Sequence, residues 1–124
     1  MTTRILAPLI ADFRWGRIED SSGRVFKDAR LSPAGAGPWD WNKTGTRHVP
    51  GIQIADVEDL LVTAPDLVIL SRGVDLVLQV PQATIDFMTA AGPRVVVLQS
   101  EQAVAEYNRL ARSERVVALI HSTC

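Results

Sequence analysis

Residues 39–51 hold most of the side chains in this chain that can bind a ligand or take part in a reaction. Two of the three tryptophans, one of the two histidines, a lysine and an arginine fall in this segment, together with two glycines. Loops usually carry replaceable residues, so this concentration of large side chains indicates a segment held in one shape. The candidate interaction or anion-binding residues are Trp39, Asp40, Trp41, Lys43, Thr44, Gly45, Thr46, Arg47 and His48.

Three interpretations of this segment stay open. In a structural one, Trp39 and Trp41 point to the same side of an extended chain and pack on a sheet. Asp40 then pairs with Lys43 or Arg47. In a second, the segment binds a protein, because Trp and Arg are common at binding hot spots. In a third, it binds a small anion through its cations, its histidine and the backbone amides near its first glycine.

The stretch from Gly37 to Thr44 comes within one residue of the loop that wraps phosphates in nucleotide hydrolases. That loop needs a glycine where Asn42 stands, because its backbone must approach the phosphates closely. Proline- and glycine-rich chain precedes the stretch where a strand is required, and Gly45 and Pro50 follow where a helix is required. Nucleotide hydrolysis is therefore excluded.

A second candidate set follows the predicted parallel strands, where ligands of such sheets usually lie. Ser100 at a helix start offers free amides to an anion, Arg72 adds positive charge, and His121 can transfer a proton near neutral pH. These side chains would converge on the pocket of a small enzyme or metabolite-binding domain, unless they are ordinary turn and cap residues. The set is Ser71, Arg72, Gly73, Gln99, Ser100 and His121.

No catalytic signature accompanies these residues. Ser71 is not a nucleophile elbow, because Ile69 replaces the first glycine of that motif. His121 and Cys124 have the spacing of metal ligands, and His48 could join them, but no second cysteine or acid pair completes a site and a terminal cysteine frays. The sequence therefore predicts no catalytic residue, no cofactor and no metal.

The elements that position these residues indicate an α/β domain. Phe13–Glu19 and Arg24–Leu31, on either side of an Asp-Ser-Ser-Gly turn, predict an amino-terminal β-hairpin. Three helices then alternate with three short apolar strands, which predicts a parallel βαβ core with right-handed crossovers. The predicted helices begin near Ala55, Pro81 and Ser100, the strands cover 67–70, 95–98 and 116–120, and a brief extra strand covers 76–80.

Length and composition fit one globular domain over residues 1–124, with 47% hydrophobic residues and a net charge of −1. A net charge this close to zero gives no overall positive field that would attract nucleic acid. No apolar run is long enough to insert into a membrane. We expect no signal peptide. The one cysteine, Cys124, suits a reducing compartment. The sequence thus favours a cytoplasmic domain with a protein partner and leaves its oligomeric state open.

Three blocks of the chain, Trp39–Trp41, Lys43–His48 and Pro50–Ile52, resemble the signature of a small family of single-domain proteins. The family includes the adipogenesis-associated domain protein of animals and a mitochondrial assembly factor for respiratory complex I, besides many prokaryotic members. Further matches are Val80-Pro81, Ala103 to Asn108 and the ending His121-Ser122-Thr123-Cys124. The resemblance covers residues 13–124, nearly the whole chain.

The resemblance implies a three-layer single domain, with a mixed central sheet, helices on one side and a helix plus the hairpin on the other. It implies assembly or scaffolding for the mitochondrial member and no settled enzymatic activity. Two turns depart from the family pattern. Ser71-Arg72-Gly73 places a long cation where many relatives have small residues, and Gln99-Ser100 stands where members tend to carry Pro-Thr. A ligand site formed by those turns would differ in this chain.

Overall fold

The structure, a computed structural model, describes residues 6–124. Residues 1–5, part of the segment in which no signal peptide is expected, lie outside the described part. The described elements are β1 (Ile10–Arg14), β2 (Arg17–Asp20), β3 (Val25–Phe26), β4 (Ala29–Ser32), β5 (Gly35–Pro38), α1 (Trp41–Thr44), α2 (Ile54–Leu61), β6 (Leu67–Ser71), α3 (Gln82–Ala90), β7 (Arg94–Leu98), α4 (Ser100–Leu110) and β8 (Val116–Ile120). Among them, no helix has both the length and the apolar character needed to cross a membrane.

A five-stranded mixed sheet in the order β5-β4-β8-β6-β7 lies at the centre of the domain. β6 pairs in parallel with both β7 and β8, whereas β4 runs antiparallel to β8 and β5. Every residue of β6 and β8 is buried, which explains their continuous apolar sequences, because a strand covered on both faces has no solvent side. The predicted α/β class with a parallel core is confirmed.

Alternate residues of the central strands belong to two separate cores. Leu67 and Ile69 pack with the small β1–β3 sheet and α4 on one face of the central sheet. Val68 and Leu70 pack with α2, α3 and Trp39 on the other face. Successive side chains of a strand point to opposite faces, so the two cores produce the three layers that the family resemblance implies.

The amino-terminal region differs from the single hairpin predicted from its sequence. The predicted strand 13–19 is two strands, β1 and β2, joined through Gly16, which has a φ of 78°. The predicted turn at 20–23 is confirmed and joins β2 to β3. The predicted strand 24–31 divides because β3 pairs with β2 in the small sheet, while β4 pairs with β8 in the central sheet.

The three predicted helices form, with changes at their ends. Pro81 directly precedes α3, as expected. Ser100 is the first residue of α4 and not its cap, because the Gln99 side chain accepts the hydrogen bond from the first turn. The extra strand predicted at 76–80 is wrong. Leu76 has a φ of 62°, a left-handed conformation that interrupts a strand, and the segment is a loop.

Candidate functional site

The buried carboxylate of Asp56, in the first turn of α2, fixes the tryptophan-rich segment to the domain. Asp56 is 6% exposed. Its Oδ1 accepts hydrogen bonds from Trp39 Nε1 at 3.1 Å and from Thr44 Oγ1 at 2.6 Å. Its Oδ2 accepts from Thr46 Oγ1 and, at 2.8 Å, from the Gln53 backbone N–H. The carboxylate thus joins the beginning and the middle of the segment to the start of a helix.

Asp40 shapes the segment as a helix cap and not as an ion-pair partner. Its Oδ1 accepts from the Asn42 backbone N–H at 2.9 Å, and Gly45 ends the short helix α1 with a φ of 73°. The expected pairing of Asp40 with Lys43 or Arg47 is replaced by this cap, because an extended conformation gives way to a helical turn. Arg47 instead donates to the carbonyl of the residue before it, at 2.7 Å.

Four rings form a continuous aromatic cluster beside this helix. The centroid of Trp41 lies 5.5 Å from Trp39, 5.0 Å from His48 and 4.7 Å from His121. The two histidine rings are 5.5 Å apart. The expected extended alternation of the tryptophans is wrong, because Trp41 begins α1, yet the two indoles still lie side by side. Separations of this size are typical of favourable ring pairs.

His121 points into this cluster because of its position after β8. Val117 and Leu119 face the core that holds Trp39, so strand alternation directs His121 to the same face. The ring is 3% exposed. Its Nδ1 lies 3.0 Å from Asp28 Oδ1, and a carboxylate only accepts, so Nδ1 carries a proton and the neutral ring has its lone pair on Nε2.

A cleft of about 560 Å³ opens over the aromatic cluster. It contains members of the tryptophan-rich candidate set together with His121 from the second candidate set, and it is polar and aromatic in character. Its walls come from Lys27, Asp28, Pro38, Trp39, Asp40, Trp41, Asn42, Arg47, His48, His121 and Thr123. The structure therefore merges parts of the two predicted sites into one.

The other members of the second set hold the backbone together. Ser71 Oγ accepts from the His121 N–H at 2.6 Å, and Ser100 Oγ donates to the His121 carbonyl at 2.5 Å. Gln99 caps α4, and Gly73 packs against the carboxyl-terminal residue.

Arg72 is also used within its own loop. It donates to the Leu78 carbonyl at 3.0 Å and to the Leu76 carbonyl at 2.9 Å. It is absent from the residues that line the cleft with His121. The expected convergence of Arg72 and His121 on one pocket is therefore not what the structure has.

The carboxyl-terminal residue brings a third reactive group to the two histidines. Ligand atoms of His48, His121 and Cys124 all lie within 4.8 Å of one another. His48 Nε2 is 3.6 Å from Cys124 Sγ. Backbone hydrogen bonds bring these residues together: the His48 carbonyl accepts from Gln79, and the Cys124 carbonyl accepts from Val77, both at 3.0 Å.

Residues 10–121 match a family described as protein of unknown function (DUF498/DUF598). The chain belongs to this family. A conserved hypothetical protein of Pyrococcus horikoshii is 22% identical, with a TM-score of 0.78 over 93% of this chain and 98% of its own. A protein described as an outer membrane protein of Bartonella henselae is 17% identical, with a TM-score of 0.77 over 94% and 96%. A Bordetella parapertussis protein is 18% identical, with a TM-score of 0.74 over 98% and 99%. At these identities the likeness concerns the fold.

Two residues of the site in this DUF498/DUF598 member are not evident from sequence. Asp28 contacts a residue 93 positions away, so no local pattern indicates it. From the sequence alone, Asp56 is an acid in the first turn of a predicted helix, where it suits the helix dipole. Its third position in the helix is where acids commonly accept backbone hydrogen bonds, and that signal, next to a loop rich in threonine, points to the observed role.

Proposed function

We propose that this domain binds a protein partner through the cleft over Trp41 and His121, consistent with the assembly or scaffolding role that its family resemblance implies. The observation that carries this proposal is a set of exposed apolar side chains, here called the apolar rim, on segments that adjoin or are hydrogen-bonded to those that build the cleft. Exposed apolar side chains that gather at one place, among polar residues, are typical of protein interaction sites.

Four residues make up this apolar rim. Val49 is 73% exposed and directly follows the cleft histidine. Leu76 and Val77 are 44% and 42% exposed, in the loop whose backbone binds the carboxyl-terminal residue. Trp15 is 60% exposed, and the amide of the following glycine donates to the Ser122 carbonyl at 3.1 Å. Three separate stretches of the chain are thus joined to the segments that build the cleft.

The cleft itself holds the residue types that dominate binding energy in protein interfaces. Trp41 lies against both histidines and at the cleft wall, and Arg47 lines the same cavity. Trp and Arg contribute most where surrounding residues exclude water from them. A partner that covers the rim would exclude water from Trp41 and Arg47. The cleft residues would then supply most of the binding energy, and the rim would keep water out.

Charge substitutions on the rim test this proposal without disturbing the core. Val49→Asp and Val77→Asp place a carboxylate where a partner would bury an apolar group. Val62→Asp is the matched control, because Val62 is 83% exposed at the end of α2 and does not line the cleft. All three variants are first checked for wild-type melting temperatures.

Crosslinking followed by affinity purification from cells that express this chain then compares the variants. We expect a specific protein to be recovered with the wild type and with Val62→Asp, and to be depleted with the two rim variants. Equal recovery with all four proteins would refute the rim as the contact surface.

A small anion in the same cleft is a second candidate function. Lys27 and Arg47 line the cavity, and the buried Trp41 Nε1 has no hydrogen-bond partner among residues 6–124. A buried donor without an acceptor is destabilising, so a bound anion would stabilise the protein. Titration with phosphate and with small dicarboxylates should raise the melting temperature of the wild type and not of Arg47→Gln. No shift with any of these anions would count against this candidate.

A further inference from the structure

We propose that His48, His121 and Cys124 form a binding site for a divalent cation of the zinc type. The three side chains come from the tryptophan-rich segment, the end of β8 and the chain terminus, and their ligand atoms lie within 4.8 Å of one another. Two imidazoles and a thiolate suit zinc, whereas calcium and magnesium prefer oxygen ligands. The inference is independent of the proposed protein binding.

The separation between the ligand atoms of His48 and Cys124 matches the geometry of a zinc site. Zinc–nitrogen bonds of about 2.0 Å and zinc–sulfur bonds of about 2.3 Å at tetrahedral angles place nitrogen and sulfur roughly 3.5 Å apart. His48 Nε2 and Cys124 Sγ are 3.6 Å apart. The other separations, within 4.8 Å, need to shorten by at most ~1.5 Å to reach the tetrahedral nitrogen–nitrogen distance.

Asp28 orients His121 as a supporting carboxylate orients a metal-binding histidine. Its Oδ1 accepts the proton of His121 Nδ1 at 3.0 Å and also accepts from the Ser122 N–H at 2.9 Å. The second contact fixes the carboxylate against the backbone. Because the proton is held on Nδ1, Nε2 presents its lone pair, and carboxylate–histidine pairs of this kind also make the imidazole a stronger ligand.

The carboxyl-terminal residue is held in place, which removes the objection that a terminal cysteine frays. The Val74 N–H donates to the Thr123 carbonyl at 2.7 Å, and the Val77 N–H donates to the Cys124 carbonyl at 3.0 Å. The tail also packs closely on Gly73, where an added Cβ would lie 2.2 Å from the Cys124 carbonyl oxygen. The thiol therefore has a defined position next to His48.

Three protein ligands leave one position of a tetrahedral zinc ion for another donor. Closed structural zinc sites use four protein ligands, whereas sites with three keep a position for water or an incoming group. His48 and His121 both line the cleft. An incoming donor, such as water or a carboxylate, would therefore approach the ion from the cleft side.

Metal binding is tested with protein that carries no histidine tag, so that the tag cannot bind the ion. Calorimetric titration with zinc should give one equivalent per chain. Substitution with cobalt should give the absorption of a tetrahedral ion and a thiolate-to-cobalt charge-transfer band. Cys124 is the chain's one cysteine, so the band should vanish in Cys124→Ser, and zinc affinity should fall in that variant and in His121→Gln.

Asp28→Asn tests the supporting role separately. It should lower zinc affinity by about 10–100-fold while the cobalt charge-transfer band persists at saturating metal. A wild-type cobalt spectrum without a thiolate band, or zinc affinity unchanged in both Cys124→Ser and His121→Gln, would overturn the proposed site. Metal titration and partner recovery are separate measurements, so a failure of the protein-binding proposal and a failure of the metal site give different results.

Discussion

Replacing Asp56 by alanine should loosen the whole tryptophan-rich segment. The side chain accepts hydrogen bonds from Trp39, Thr44, Thr46 and the Gln53 backbone. In the alanine variant each of these donors loses a charged acceptor inside the protein. Hydrogen bonds to charged groups contribute roughly 1.5–3 kcal/mol each, and an unpaired buried donor costs about as much.

The expected loss of stability is smaller than the sum of these contributions. The hydroxyls of Thr44 and Thr46 lie 2.9 Å apart and can hydrogen-bond to each other in the variant. The donors that lose their acceptor are therefore the Trp39 indole N–H and the Gln53 backbone N–H. Removing a buried carboxylate also relieves the cost of its desolvation. We therefore expect the free energy of unfolding to fall by about 3 kcal/mol, and the melting temperature by about 10 °C.

Asp59→Ala is the matched control, because Asp59 lies one turn further along α2 and is exposed. A surface substitution of this kind changes stability by at most about 0.5 kcal/mol. Urea unfolding measures both variants, and near-ultraviolet circular dichroism reports the packing of the tryptophans. Equal stability of the two variants, or an unchanged tryptophan signal in Asp56→Ala, would show that the carboxylate does not fix the segment.

Three further predictions concern other parts of the fold. Gly51→Ala should destabilise the protein much more than Gly45→Ala. Both glycines have positive φ, but of the two only Gly51 would bring the added Cβ against a backbone carbonyl oxygen, at 1.9 Å. The urea unfolding midpoints of the two variants check this prediction. Burial raises the pKa of Asp20, but hydrogen bonds from Ser22 and Arg24 in the following turn outweigh this effect and bring the pKa below its ordinary value. The contribution of the Asp20 carboxylate to stability should therefore be complete above about pH 4 and be lost as the pH falls through the folded-state pKa. The free energy of unfolding should accordingly differ less between pH 7 and pH 3 in Asp20→Asn than in the wild type. Asn108→Ala should lower the free energy of unfolding by about 1–3 kcal/mol. The Asn108 side-chain amide accepts a hydrogen bond from the Ile10 N–H at 2.8 Å and donates one to the Ile10 carbonyl at 2.9 Å. Faster hydrogen exchange at the Ile10 backbone N–H would report the release of β1.

The second half of the fold follows from local patterns in the sequence. Leu67–Leu70 and Val116–Ile120 are continuous apolar runs, and both form buried strands within one residue of their predicted ends. Pro81 and Gly92 are the boundary residues expected for α3. In each case the sequence signal and the structure involve the same few neighbouring residues, so no distant partner decides the outcome.

The first third depends on partners that are distant along the chain. The alternating sequence from Arg24 to Leu31 is equally suited to one long strand or two short ones. It is divided because Ala29 pairs with Ile120 in the central sheet, whereas Phe26 pairs with Ile18 in the small sheet. Pattern alone does not specify which sheet a strand joins, so this division lies beyond local reasoning.

The position of the cleft follows from the strand beside β8. The second candidate set is predicted at the shared ends of parallel strands, but the neighbour of β8 on its other side is the antiparallel β4. Ala29 of β4 pairs with Ile120 of β8. Asp28, just before β4, therefore lies beside His121, just after β8. Ile120 faces the core with α4, and alternation turns His121 to the opposite face, towards Trp41. One antiparallel pairing thus supplies the carboxylate, orients the histidine and brings the carboxyl-terminal thiol to the tryptophan-rich segment.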